Sequence, residues 1–120
     1  MILSLSEFKQ QLQPALNAKR WLVAYSGGMD SSVLLHLLTS LSSRPPIEAI
    51  HINHHLHEDS SQWAQFCQQQ AAQLGIELRV HSVNIDNLKS NIEEAARLAR
   101  YQVFKAEVDH GDVLMQGHHL

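Results

Sequence analysis

Short apolar runs alternate with longer stretches of helical periodicity along this chain, and this alternation restricts its fold more than any other feature. The runs predicted as strands are 21–25, 47–53, 77–83 and 112–116. The stretches between them repeat apolar residues at three- and four-residue spacing, as amphipathic helices do. Strands that alternate with helices form parallel sheets with helices on their faces. The sequence therefore predicts an α/β fold, a doubly wound parallel sheet of four strands.

Capping and breaking residues delimit the predicted helices. The approximate helical spans are 6–16, 33–41, 60–74 and 91–108. Ser6 caps the first helix, and Pro14 disturbs its last turn. Gly75 is a typical helix stop, and Asn91 followed by Glu94 has the form of a capping box.

Residues 26–32 connect the first predicted strand to the helix that follows it. They lie at the carboxyl end of that strand, where open α/β sheets bind their ligands. Gly27 and Gly28 allow an anion to approach the backbone, and the N–H groups that open the next helix would hold it. Ser26 and Ser31 add hydroxyl donors. The segment is therefore predicted to bind phosphate.

Asp30 lies among these phosphate donors and would repel an anion unless a cation stood between them. Mg²⁺ prefers oxygen ligands and is the natural bridge, so Asp30 is a candidate metal ligand. Two better-known phosphate motifs are excluded, because the loop has no nearby lysine and its glycines are adjacent. The alternative is a tight turn in which Gly27 and Gly28 serve only the backbone, while Asp30 and Ser31 cap the helix.

Charged residues border one side of the helix predicted from Asn91. A rotation of 100° per residue puts Glu93, Arg97 and Arg100 side by side. One interpretation is a solvated face with a Glu93–Arg97 pair, which is worth only about 0.2–0.5 kcal/mol. The other is that Arg97 and Arg100 present guanidinium groups to a phosphate or a carboxylate near the loop.

Histidine is abundant, with nine in 120 residues. Four of them cluster at the end of the second predicted strand, namely His51, His54, His55 and His57. Strand alternation points His51, Asn53 and His55 to one face and Ile50 and Ile52 to the other, so metal ligands would have to converge in a loop that has no cysteine and no nearby pair of carboxylates. The pattern disfavours a transition-metal site, and the role of the cluster is left open.

Composition narrows the possible functions further. Nine basic and twelve acidic residues give a formal charge of −3, which argues against a nucleic-acid clamp. A single cysteine, Cys67, cannot form an internal disulfide, so a reducing compartment, the cytoplasm, is expected, with Cys67 packed in the core. The sequence has no apolar stretch approaching the roughly 18 residues of a membrane span. Membrane insertion is therefore not expected.

Four segments of the chain resemble known enzymes. Residues 26–31, Ser-Gly-Gly-Met-Asp-Ser, match the signature of the PP-loop ATP pyrophosphatases, which adenylate a substrate oxygen and release pyrophosphate. Within that superfamily, residues 51–56, 92–101 and 117–120 resemble the tRNA(Ile)-lysidine synthetase family. The resemblance spans nearly the whole chain.

This resemblance implies a Rossmann-like domain of the adenine-nucleotide alpha-hydrolase kind, with ATP and Mg²⁺ as cofactors. The residues implied to contact ATP are Ser26, Gly27, Gly28, Met29, Asp30 and Ser31 in the loop, with Ile52 and Asn53 as a wall for adenine and ribose. Those implied at the reactive centre are Asp30, Arg97, Arg100, His118 and His119.

The activity implied by the resemblance is ligation in two steps. The C2 oxygen of the wobble cytidine in tRNA(Ile) with a CAU anticodon is first adenylated. The ε-amine of free L-lysine then displaces AMP to give lysidine. The alternatives are another PP-loop adenylating enzyme, which thiolates tRNA or forms an amide, and a non-catalytic ATP-binding module.

The family continues after its His-containing segment into acidic residues that bind metal. Residues 1–120 are therefore expected to be an incomplete N-terminal ATP-binding domain, truncated after the fourth strand and inactive alone. A further strand and C-terminal parts that make most tRNA contacts are expected beyond Leu120. Oligomeric state is left open, a homodimer included.

Overall fold

The structure is a computed structural model, and it describes residues 10, 12–55, 58–83 and 92–116. Of the predicted N-terminal helix 6–16, positions 6–9 and 11 lie outside these residues; positions 10 and 12 are helical, and the short 3-10 helix Gln13–Ala15 follows. Further sequence predictions also lie outside them, namely the caps Ser6 and Asn91, His57 of the histidine cluster and the segment 117–120.

Four strands and three α-helices alternate through the rest of the described chain. They are β1 (Arg20–Ala24), α1 (Met29–Thr39), β2 (Ile47–Asn53), α2 (Ser60–Gln73), β3 (Glu77–Ser82), α3 (Ile92–Glu107) and β4 (Asp112–Gln116). No helix among the described residues is long and apolar enough to cross a bilayer.

All four strands are parallel, in the order β3-β2-β1-β4. The chain builds outward from β1 to β3 and then crosses to the other side of β1 for β4. This reversal at β1 is a topological switch point, and ligands bind such sheets in the crevice at the carboxyl ends of the strands there. The predicted α/β fold with a parallel sheet is confirmed.

Side chains of β1 pack on both faces of the sheet. Trp21 and Val23 join the larger core beneath α1 and α2, whereas Leu22 joins Phe104 of α3 in a smaller one. Trp21, Leu22 and Val23 are all fully buried. This explains the nearly continuous apolar run in the sequence, since a strand covered on both faces has no solvent side.

The start of α1 differs from the sequence prediction. The helix begins at Met29 rather than near Val33 and takes Asp30 and Ser31 into its first turn. Apolar periodicity reveals only the part of a helix that packs on the core, and this first turn is mostly polar and faces the cleft described below. At the end of α2, Gly75 adopts a φ of +73°, as its predicted role as a helix stop requires.

A network of charged side chains covers the amino end of the sheet on its α3 face. Arg20 donates hydrogen bonds to Glu48 (3.0 Å) and to Asp112 (2.6 Å). Arg79 donates to Glu107 at the end of α3 (2.8 Å) and also pairs with Glu48. The network joins α3 to β1, β2, β3 and β4, so it fixes the helix that carries Arg100.

The hydrogen bonds of this network shift the pKa values of its members. Hydrogen bonding to Arg79 holds the pKa of Glu48 and of Glu107 below the usual value. Arg20 does the same for Asp112, and both arginines have raised pKa values in return. All five groups are therefore charged at neutral pH.

Candidate nucleotide-binding site

A cleft of about 650 Å³ opens at the carboxyl edge of the sheet. The loop between β1 and α1 forms one side of it, the end of β2 its floor, and Arg100 and Phe104 of α3 the opposite side. This volume is typical of small-molecule sites, and the position is the one that the strand order predicts for a ligand.

Hydroxyl groups hold the loop in shape. The Gly28 N–H donates to Ser26 Oγ (3.2 Å), and the Ser26 N–H donates to Ser31 Oγ (3.2 Å). Ser31 is 5% exposed, and its hydroxyl also donates to the Gly28 carbonyl (3.3 Å). Ser26 and Ser31, which were predicted as phosphate donors, therefore also organise the loop backbone.

The first turn of α1 presents uncapped N–H groups to the cleft. Gly28 is the N-cap residue, and no side chain caps the helix. The first N–H that bonds back along the helix is that of Ser32, to the Gly28 carbonyl (3.0 Å). The N–H groups of Met29, Asp30 and Ser31 thus have no helical acceptor. Free N–H donors at the positive end of a helix are the arrangement that binds phosphate in many proteins.

The two glycines of the loop serve different purposes. Gly27 has a φ of +84°, and a Cβ there would lie 2.7 Å from Cys67 Sγ and 2.9 Å from a ring carbon of Trp63. Gly28 has an ordinary φ of −75°, and a Cβ there would meet only Ser26 Oγ, at 3.4 Å. Gly27 is therefore required by the fold, whereas Gly28 leaves the backbone open toward the cleft.

Asp30 is exposed in the first turn of α1 and lines the cleft. Among the described residues, no basic side chain forms an ion pair with it. Its carboxylate is thus available to an oxygen-seeking cation beside the phosphate donors, and this donor set fits Mg²⁺.

The end of β2 forms the floor of the cleft. Ile52 lines it, and so does the buried His51, whose Nδ1 lies 2.9 Å from the Tyr25 carbonyl. Asn53 is 5% exposed, and its side-chain oxygen accepts a hydrogen bond from the His55 N–H (2.9 Å). The Asn53 carbonyl already accepts from Val83 (2.9 Å), so Asn53 shapes the bend that follows the strand.

The two arginines of α3 occupy different environments. Arg100 lines the cleft, whereas Arg97 lies outside it, with a side chain that is 58% exposed. Arg97 donates to Glu94 (Nε to Oε2, 3.1 Å), so the suggested pair with Glu93 is wrong. Three-residue spacing brings two helical side chains together as well as four-residue spacing does.

His54 also faces the cleft, and its Nδ1 is buried with no hydrogen-bond partner in the described structure. Burial lowers the pKa of His54, and the charge of Arg100 lowers it further. The ring is therefore neutral at physiological pH. Within the described residues, no group of three His, Cys, Asp or Glu side chains is placed to hold a metal ion. His57, His118 and His119 lie outside the described residues.

Sequence reasoning missed the role of Trp63. Its indole N–H donates to the Ser26 carbonyl across the cleft wall (2.7 Å). The sequence offered one clue to this contact, namely a tryptophan in a helix, α2, that carries no charged residue. Cys67, four residues later, is fully buried as predicted, and burial raises the pKa of its thiol to about 11.

A family model described as a PP-loop domain matches residues 3–120. The chain belongs to the PP-loop family. Residues 26–31 carry the signature sequence of this family and are called the PP-loop from here on. The family match supports the use of ATP.

Curated relatives of the PP-loop chain include proteins named tRNA(Ile)-lysidine synthase. The one from Pseudomonas aeruginosa is 42% identical over 118 residues, which are 96% of this chain and 26% of that protein. Those from Yersinia pestis and Xanthomonas campestris are 48% and 45% identical, over 82% and 90% of this chain and 22% and 26% of theirs. The chain spans about a quarter of the length of these relatives.

Solved structures share the PP-loop fold at lower sequence identity. The U34-tRNA thiolase NcsA from Methanococcus maripaludis has a TM-score of 0.68 at 20% identity and covers 95% of this chain and 45% of its own. NMN synthetase from Francisella tularensis has a TM-score of 0.63 at 19% identity, covering 94% and 54%. At these identities the likeness shows the fold alone.

Proposed function

We propose that this chain is the ATP-binding and adenylating part of a tRNA(Ile)-lysidine synthetase. The observation that carries the proposal is the 40–48% identity to proteins of that name over most of this chain. The cleft supports it, since it combines three phosphate donors, an exposed carboxylate and a cationic side chain at the switch point of the sheet.

In the first step, the C2 oxygen of the wobble cytidine attacks the α-phosphorus of ATP, and pyrophosphate leaves. The N–H groups of Met29, Asp30 and Ser31 hold the β- and γ-phosphates and stabilise the charge that develops on the leaving group. Ser26, Gly27 and Gly28 shape this cradle. Fixed donors of this kind contribute because they need no rearrangement during the reaction.

Asp30 would hold Mg²⁺, which would supply further neutralisation of the phosphate charge. Ile52 forms part of the wall for adenine and ribose, whereas Asn53, which is buried and does not line the cleft, shapes the bend beside it. Arg100 lies across the cleft from the PP-loop and holds a second anionic group there. His118 and His119 complete the reactive centre in this proposal, and Arg97, which lies outside the cleft and pairs with Glu94, takes no part in it.

In the second step, the ε-amine of free L-lysine attacks C2 of the adenylated base. The C2–O bond breaks, AMP leaves, and the amine loses a proton. The tRNA is tRNA(Ile) with a CAU anticodon, bound mainly by further domains of a longer protein that is cytoplasmic. A homodimer is compatible with this arrangement.

The test uses the longest gene product that contains this sequence, with MgATP, tRNA(Ile) transcript and radiolabelled lysine. The expected result is label in tRNA together with equal amounts of AMP and pyrophosphate. Label that enters tRNA from a sulfur donor, or ammonia consumed in place of lysine, would assign the site to another adenylating reaction. ATP binding without tRNA-dependent AMP would indicate a non-catalytic module.

A further inference from the structure

Trp63 combines exposure with a specific contact to the PP-loop. The residue is 45% exposed, which is unusual for so large an apolar group, yet its Nε1 donates to the Ser26 carbonyl at 2.7 Å. The ring stacks on Phe66, with centroids 4.9 Å apart and an interplanar angle of 19°. The stacking holds the indole in one orientation, so the hydrogen bond has a fixed direction.

A second contact joins the same ring to the next residue of the loop. The space that a Cβ of Gly27 would need is occupied by two ring carbons of Trp63, 2.9 and 3.1 Å from its position, and by Cys67 Sγ. The indole thus packs against the backbone of Gly27 while it binds the carbonyl of Ser26. Both contacts act on the peptide unit that joins Ser26 to Gly27.

The orientation of that peptide matters for anion binding. In a trans peptide the C=O and N–H groups point in opposite directions, so fixing the Ser26 carbonyl also fixes the Gly27 N–H. A carbonyl that turned into the cleft would bring a partial negative charge next to the phosphates. We propose that Trp63 is a positioning residue of the PP-loop, which keeps the Ser26 carbonyl away from bound phosphate and so sets the affinity for the phosphate part of ATP.

This inference rests on the proposed use of ATP but not on the identity of the acceptor. The experiment compares the dissociation constants of MgATP and of adenosine, measured by calorimetry on the longest gene product that contains this sequence. Trp63→Phe removes the N–H donor and keeps an aromatic ring. Because adenosine lacks phosphates, the ratio of the two constants isolates the effect on the phosphate site.

Trp21→Phe is the matched control. Trp21 also donates its indole N–H to a backbone carbonyl, that of Ala15 at 2.8 Å, but it is fully buried and does not line the cleft. The Trp21→Phe variant therefore loses the same kind of hydrogen bond, but at a buried position where that bond affects stability and not the cleft. Its melting temperature is expected to fall, with the ratio of affinities unchanged.

For Trp63→Phe, the expected result is about fivefold weaker binding of MgATP, the typical worth of one hydrogen bond, with adenosine binding unchanged. Equal losses for both ligands, or no loss for either, would overturn the proposal.

If Trp63→Phe does not fold, a second variant, Phe66→Leu, removes the ring that stacks on the indole. The binding of MgATP is then expected to weaken about twofold relative to that of adenosine. An unchanged ratio in that variant would count against the proposal. A failure of lysidine formation leaves this comparison intact, so the two hypotheses fail separately.

Discussion

Asp30 is the residue on which the proposed chemistry depends most directly. Asp30→Asn keeps the size of the side chain and removes its charge, and Mg²⁺ binds a carboxylate far better than an amide. Pyrophosphate release is expected to fall about 100-fold or more, the usual cost of losing a major electrostatic contact to a leaving group. The measurement is the rate of pyrophosphate release with MgATP, tRNA and lysine.

Asp59→Asn provides the control for this change. Asp59 is also an exposed aspartate at the start of a helix, α2, but it makes no capping hydrogen bond and does not line the cleft. Its substitution is expected to leave the rate within about twofold, since surface changes of this kind cost little. Equal effects at both positions would remove the basis for a metal-ligand role of Asp30.

The two glycines of the PP-loop are expected to respond in opposite ways to alanine. Gly27→Ala should lower the free energy of unfolding by about 2–4 kcal/mol, because a left-handed conformation and overpacking against Cys67 both cost energy. Gly28→Ala should leave stability within about 0.5 kcal/mol but raise the KM for ATP about tenfold, because its methyl group stands at the phosphate site. Urea unfolding and steady-state kinetics measure the two effects, and the reverse assignment would contradict the structure.

At the scale of single residues, the sequence predicted which segment lines the cleft but not which contacts hold that segment in place. The loop was evident because its glycines, serines and aspartate are adjacent in the chain. Its contact with Trp63 spans 37 positions, and no local pattern reveals such a pairing. The different needs of Gly27 and Gly28 likewise depend on what packs beneath them.

At the scale of elements, α3 is held to the sheet by apolar contact and by charge. Phe104 packs on Leu22 and Ile50, and three residues later Glu107 binds Arg79. These contacts determine where Arg100 stands, one turn before Phe104, at the cleft. Strands and helices were predictable because their periodicity is local, whereas this network joins residues 28 to 92 positions apart.

Glu107→Gln tests the network. The variant is expected to lose about 1.5–3 kcal/mol of stability at pH 7, the typical worth of hydrogen bonds to a charged group. Because the pKa of Glu107 is lowered in the folded state, mainly by Arg79, its contribution is complete above the usual value of 4.5 and disappears as pH falls through the folded-state value. The stability difference between wild type and variant should therefore shrink as the pH falls below about 4.5.

Glu93→Gln is the control for this series, since Glu93 is exposed on the same helix. Its unfolding free energy should match that of the wild type within about 0.5 kcal/mol at every pH. A pH-independent loss in Glu107→Gln would mean that packing rather than charge carries the contribution.

At the scale of the whole molecule, charge determines what this chain binds by itself. Its formal charge is −3, and among its nine basic residues Arg20, Arg79 and Arg97 are paired with carboxylates. Affinity for tRNA comes largely from releasing counterions as basic side chains neutralise phosphates. Few unpaired basic side chains therefore remain among the described residues to contact tRNA phosphates. The N–H donors in the cleft remain available to a nucleotide.

Residues 1–120 alone are therefore expected to bind tRNA with a dissociation constant weaker than about 10⁻⁴ M at physiological salt, with a shallow dependence on salt concentration. Under the proposed function, the longest gene product that contains this sequence should bind more tightly, with a steep slope, because the basic contacts that residues 1–120 lack are then supplied elsewhere in it. Filter binding across a salt series measures both slopes, and binding of MgATP to the same sample of residues 1–120 shows that the chain is folded. A tight, steeply salt-dependent tRNA complex of residues 1–120 would instead locate the basic contacts within this chain.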